Sequence, residues 1–205
     1  FSNSGVTVSS ETMYFDGSDV LTSTSNLYNT NNVGTMCVWI KPTDIANYYS
    51  IMDYSVQYSE SRDFVKLATY TAGTGGVLAQ TFHTTGSVND AVEGTDTTIL
   101  NNNDYLVCIS SNGADCDIHT NGNAETESLI IGTNSGKWFN DGAGTNYYFH
   151  IGASRELSTD PGFQYYKGYM HSSAYWSVEL TTSEILELYN LGYDYNPYIA
   201  SGAFF

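Results

Sequence analysis

Cations, cysteine and proline are all scarce in this chain, and each scarcity excludes something. Six Lys and Arg stand against 22 Asp and Glu among 205 residues, a net charge of −16 at neutral pH. A phosphate backbone or an anionic bilayer would repel such a chain, and no basic cluster offsets the repulsion, so neither nucleic acid nor a membrane surface is an expected partner. No apolar run approaches the ~20 residues of a membrane span, so no membrane insertion is expected and the chain reads as soluble. Residue 1 is Phe, and no charged segment leading into an apolar stretch follows it, which reads as a processed product or a piece of something longer.

The three cysteines, Cys37, Cys108 and Cys116, have no C-x-x-C spacing, which argues against a zinc site and against a full disulfide framework. A two-residue turn at Asn112-Gly113 places Cys116 opposite Ile109 and turns Cys108 to the other face of the ribbon, so the two stay reduced and three free thiols are expected. A three-residue loop would instead bring Cys108 and Cys116 directly across from each other.

Only three prolines, 41% apolar residues and 18 tyrosines leave ample material for a core, and about 200 residues suits one β-sandwich or barrel, here a single domain over 1–205. Short alternating or apolar runs bounded by Gly, Asn, Asp and Ser recur along the chain, at 6–10, 11–15, 34–42, 48–54, 63–71, 76–84, 105–110, 116–120, 129–131 and 147–154. The run at 34–42 is apolar on both faces, as a central strand would be, and Pro42 stops it. Residues 90–103 read as a polar connection. Near the end, alternation over 168–178 puts Met170, Ser172, Ala174 and Trp176 on one face. The period then changes: Thr181 and Glu184 form a capping-box pattern, Ile185, Leu188 and Tyr189 share a helical face, and Gly192 suits the C′ position. The reading is about a dozen short strands and one helix, an all-β system whose last strand returns to a partner near the beginning. Trp39 and Trp176 are expected in the core, on facing sheets.

Tyr14-Phe-Asp-Gly-Ser-Asp19, Gly34-Thr-Met-Cys-Val-Trp-Ile-Lys-Pro-Thr43, the Leu106 to Gly122 hairpin and Phe149-His-Ile-Gly152 occur in this order, followed by the Tyr166 to Gly192 stretch. Together they resemble the laminin-G-like or concanavalin A-like jelly-roll family, which includes pentraxins and many bacterial and phage carbohydrate-binding modules. The resemblance implies two antiparallel sheets packed face to face with one short C-terminal helix. It also implies a surface glycan as partner and an extracellular or virion-surface location. A departure stands at His171-Ser172, where the family's final strand usually carries an acidic pair.

Catalysis has little footing. A retaining glycosidase needs two carboxylates about 5 to 5.5 Å apart; the nearest pairs are Asp115/Asp117 and Glu125/Glu127, beside a turn and in a polar connection. The four histidines lack H-E-x-x-H spacing, and no G-x-S-x-G elbow occurs. Binding is better supported. The long Gly/Asn/Asp loop at 132–146 carries Trp138, Asn140 and Asp141, with Tyr147 just beyond it and Asp160 and Tyr165 in a later loop. Its aromatics either fold back into the core or offer rings for stacking on a sugar, with Asn and Asp fixing the hydroxyls. Those six residues are the expected glycan site, with Asp141 and Asp160 as candidate Ca²⁺ donors. The expected function is a non-catalytic lectin-like adhesion module. The rival is a structural virion or filament subunit that contacts other subunits and binds no sugar.

Overall fold

A computed structural model describes residues 2–4, 7–9, 12–23, 30–45, 48–56, 64–70, 75–83, 88–141, 147–154 and 164–193. Among these the strands are β1 (Ser2–Ser4), β2 (Thr7–Ser9), β3 (Thr12–Asp16), β4 (Val20–Thr22), β5 (Gly34–Pro42), β6 (Tyr49–Val56), β7 (Phe64–Thr69) and β8 (Val77–His83). They continue with β9 (Val88–Gly94), β10 (Tyr105–Ser111), β11 (Cys116–Thr120), β12 (Asn123–Ala124), β13 (Glu127–Ile131), β14 (Tyr147–Ile151) and β15 (Lys167–Trp176), before the helix α1 (Thr182–Leu191). They form two antiparallel sheets. One has eight strands in the order β1-β4-β14-β6-β7-β8-β9-β13, the other seven in the order β12-β11-β10-β5-β15-β3-β2. This is a jelly-roll sandwich closed by one short C-terminal helix, as expected, and the last strand does return to partners near the start, β3 and β5.

The core lies between the sheets. Met36, Val38 and Ile40 of β5 and Val107 and Ile109 of β10 meet Tyr54, Val65, Leu67 and Val92 of the opposite sheet. The other face of β5 is equally apolar because it faces α1: Cys37, Trp39, Leu106 and Cys108 are sealed there by Ile185. Helix placement follows from local chemistry. The Thr181 hydroxyl accepts from the Glu184 N–H, and the Glu184 carboxylate accepts from the Thr181 N–H, a complete capping box.

Four expectations need correction. Trp39 and Trp176 belong to neighbouring strands of one sheet, and they pack beneath α1 on its outer face, not between the sheets. The alternation read across 168–178 breaks at a bulge between Met170 and Ser173, so Met170 and Tyr175 share the core while Ala174 follows Cys37 on the opposite face. Residues 90–103 are not all connection: Val88–Gly94 is a strand, whose acids Asp90 and Glu93 are buried. The thiols also differ. Cys37 and Cys108 sit directly opposite each other on β5 and β10, with Cα atoms 4.1 Å apart, and form a disulfide, which leaves Cys116 as the buried free thiol.

The hairpin register explains why neither turn length that was weighed applies. Ser111, not Ile109 or Cys108, pairs with Cys116. The Asn112 side chain accepts from the Ala114 and Asp115 N–H groups at 2.7 and 3.0 Å, so Asn112 caps the turn and Gly113, at φ 89°, becomes its first central residue.

Candidate functional site

Residues 132–141 are built as a plug. The Asp90 carboxylate accepts from the N–H groups of Thr133 and Ser135, each at 2.8 Å. Asn134 pairs with the Cys116 backbone in both directions, at 2.9 and 3.1 Å, as a neighbouring strand would. Trp138 then enters the sandwich and is 0% exposed, stacked on Phe139 with centroids 4.9 Å apart, and Phe139 in turn lies against Tyr54. Tyr147 is 2% exposed and stacks on the other side of Tyr54.

A ring buried in this way cannot present a face to a sugar, so Trp138 and Tyr147 are core residues. Asn140 is exposed and donates to the Asn32 side chain at 2.7 Å. The Asp141 carboxylate takes the Trp138 N–H at 2.8 Å and the Lys137 ammonium at 2.9 Å. Tyr165 is half-buried and bridges to Ser50, at the other end of β6 from Tyr54, so it does not join the Trp138 turn. Asp160 lies outside the described residues. No group of three or more His, Cys, Asp or Glu among the described residues converges as a metal site.

The carboxylate pairs are likewise occupied by structure. Glu125 accepts from the N–H groups of Asp96 and Thr97 at 2.7 and 2.9 Å. Glu127, at the edge of one sheet, accepts from the Ile118 N–H of the other at 2.9 Å. Burial, reinforced by Asp117 and Asp115, pushes the Glu127 carboxyl up to about 7. Asp117 is raised by burial first and by Asp115 second. The described histidines bond to threonine hydroxyls: His119 with Thr182, His150 with Thr22, and His171 with Thr12, the His171 Nε2 lying 3.4 Å from an Asp104 oxygen.

The eight-stranded sheet offers a different place. Its registers align Thr22, His150, Asp53, Lys66, Gln80, Ala91 and Ile131 in one row on the face turned away from the core. Toward one end of that row is a depression of about 250 Å³. Tyr48 and Tyr70, edge to face with centroids 6.1 Å apart, supply half-exposed aromatic walls. Gln80 and Gln164 supply amides, Lys66 lies at the floor, and Ile130 and Ile131 of the edge strand form a rim. The Tyr48 hydroxyl donates to Gln80 Oε1 at 2.7 Å, and the Lys66 ammonium donates to Gln164 Oε1 at 3.1 Å. Lys66 is held between rings, its Nζ 4.9 Å from the Tyr48 centroid and 4.6 Å from that of Phe64. Aromatic walls with convergent amides suit a polar ring with an apolar face. Sequence reading missed this site because its members come from six separate segments; only the runs that carry Lys66 and Gln80, at 63–71 and 76–84, were read as strands in advance.

No protein-family model and no curated protein sequence matches the chain. Solved structures do resemble it. A native heptameric SAP-like pentraxin from Limulus polyphemus superposes with a TM-score of 0.65 at 17% identity, over 87% of this chain and 81% of the pentraxin. The CBM40 of Ruminococcus gnavus IT-sialidase, bound to α2,3 sialyllactose, gives 0.64 at 12% identity, over 82% of this chain and 97% of that one. Domain 4 of AbnA, a GH43 extracellular arabinanase from Geobacillus stearothermophilus, in complex with arabinotriose, gives 0.61 at 14% identity, over 86% and 75%. At these identities the likeness establishes the jelly-roll fold.

Proposed function

We propose that the chain is a non-catalytic, laminin-G-like carbohydrate-binding module displayed outside the cell or on a virion. It takes its glycan in the Tyr48–Tyr70 depression of the eight-stranded sheet. The observation that carries this reading is the depression itself, where two tyrosine rings at the ends of β6 and β7 and the amides of Gln80, on β8, and Gln164 converge. Two neighbours in fold are carbohydrate-bound domains, which supports the substrate class. The Cys37–Cys108 bridge supports an oxidising compartment.

A glycan array with the wild-type chain and with Tyr70→Ala tests the site: binding that Tyr70→Ala abolishes upholds it, and undiminished binding moves the site elsewhere. A chelator arm tests the ion. Asp141 and Asp160 are the proposed Ca²⁺ donors, so loss of binding with chelator gives the ion a role and unchanged binding removes it.

One observation favours the structural-subunit reading. β13 is an edge strand whose Leu129, Ile130 and Ile131 are 53%, 38% and 44% exposed, and such an edge pairs readily with another chain. Sedimentation of the wild type and of Ile130→Lys tests it: assembly lost in the variant, with no glycan bound by either, would make subunit packing the function.

A further inference from the structure

A bulge in β13 puts two isoleucines where a regular strand would put one. From Leu129, opposite Val92, to Ile131, opposite Ala91, β13 advances two residues while β9 advances one. Val92 belongs to the core and Ala91 to the outer face of the sheet, and in a regular strand consecutive side chains would part in the same way. Ile130 and Ile131 instead both line the Tyr48–Tyr70 depression, 38% and 44% exposed. Ala91 lies in register between Gln80 and Ile131. Together with Leu78 it belongs to a small buried apolar cluster against which Tyr48 and Tyr70 pack. The depression thus has an aliphatic flank, Leu78, Ala91, Ile130 and Ile131, beside the amides of Gln80 and Gln164.

Aliphatic side chains have no hydrogen bond to give. A sugar hydroxyl pressed against them would leave water without gaining a partner, whereas a methyl group gains by leaving water. The tyrosine rings already suit the C–H face of a sugar ring, so the flank is surplus to a fully hydroxylated hexose. A methyl is what such a flank can hold, and sugars carry one in two common forms: the terminal methyl of a deoxyhexose and the acetyl methyl of an acetamido sugar.

We infer that the depression selects a sugar bearing a methyl group, with the methyl against Ile130, Ile131 and Ala91 and the ring against the tyrosines. The inference rests on the glycan-binding reading. Its test is a panel in which each hydroxylated hexose, galactose for example, is compared with its deoxy counterpart and its acetamido counterpart on one linker. At least one methyl-bearing form is expected to bind at least about fivefold more tightly than its parent, the scale of burying one methyl group. Whichever form gains the margin identifies the source of the methyl. Ile130→Thr combined with Ile131→Thr keeps both positions β-branched at the exposed edge. It should erase the margin while binding of the parent hexose and the melting temperature hold. A margin that survives in this variant overturns the inference, as does parent binding equal to or tighter than that of both counterparts, and either result leaves the glycan reading standing. Binding to no member overturns both.

Discussion

The Trp39 indole lies stacked on the Tyr189 ring, with centroids 5.5 Å apart and the planes 19° from parallel, and this pair joins the terminal helix to the central strand of the seven-stranded sheet. Ile185 and Leu188 complete the seam. Trp39→Ala should therefore cost about 3 to 5 kcal/mol, in the range of large-to-small core substitutions. Denaturant unfolding measures it, and amide exchange should show α1 losing protection before the sandwich does. A near-neutral variant would mean that the helix is not fastened there.

The sulfur atoms give a second expectation. Thiol titration of the denatured, unreduced protein should find one group, Cys116, and three after reduction. The bridge joins residues 71 apart in sequence, so Cys37→Ser with Cys108→Ser should lower stability by about 2 to 5 kcal/mol. Three reactive groups before reduction would contradict the pairing.

Glu127 should make stability depend on pH. Burial raises its folded pKa to about 7 from an ordinary 4.5, so the folded state holds a proton that the unfolded chain has already lost in that interval. Its contribution is fully present below about pH 4.5 and is lost as pH rises toward 7. Glu127→Gln, which keeps an acceptor for the Ile118 N–H, should flatten the melting temperature across that window. An unchanged slope would assign the proton to another group.

Gly34 should tolerate no side chain. A Cβ there would run into the Trp138 indole nitrogen and the Trp176 carbonyl, so the bare Cα is what lets the indole lie flat. Gly34→Ala should cost about 1 to 3 kcal/mol as an overpacking change, and combining it with Trp138→Phe should recover part of that loss. Independent, additive effects would show that the two residues do not share the space.

What was legible in the sequence was local. The capping box of Thr181 and Glu184 and the two-faced apolar pattern of β5 specify their structures within a few residues, and both are present. Features that depend on distant partners were not legible. The disulfide needs the β5–β10 register, which no spacing within the Asn-Gly hairpin reveals. The β15 bulge inverts the faces downstream of it without a marker residue. β9 was hidden because Asp90 looks like loop chemistry, yet in the fold it anchors the turn at 133–135. The expected glycan residues drew attention as aromatics in a long polar loop. Its residues 133–135 are tied down by Asp90 and Asn134, and Trp138 is buried inward.

A β-sheet is also a partition. Cys37 and Cys108 lie on its helix side, while Cys116, on β11, points into the sandwich, where burial holds its thiol protonated with a pKa pushed up to about 12. Thiol–disulfide exchange needs a thiolate within reach of a sulfur, and here the attacker is neutral and behind a wall of backbone. Of the three single bridges that three cysteines can form, the folded chain keeps one and cannot shuffle to the others without coming apart. Isomer scrambling is thereby confined to the unfolded chain, and the odd thiol is chemically silent once the sheet has closed.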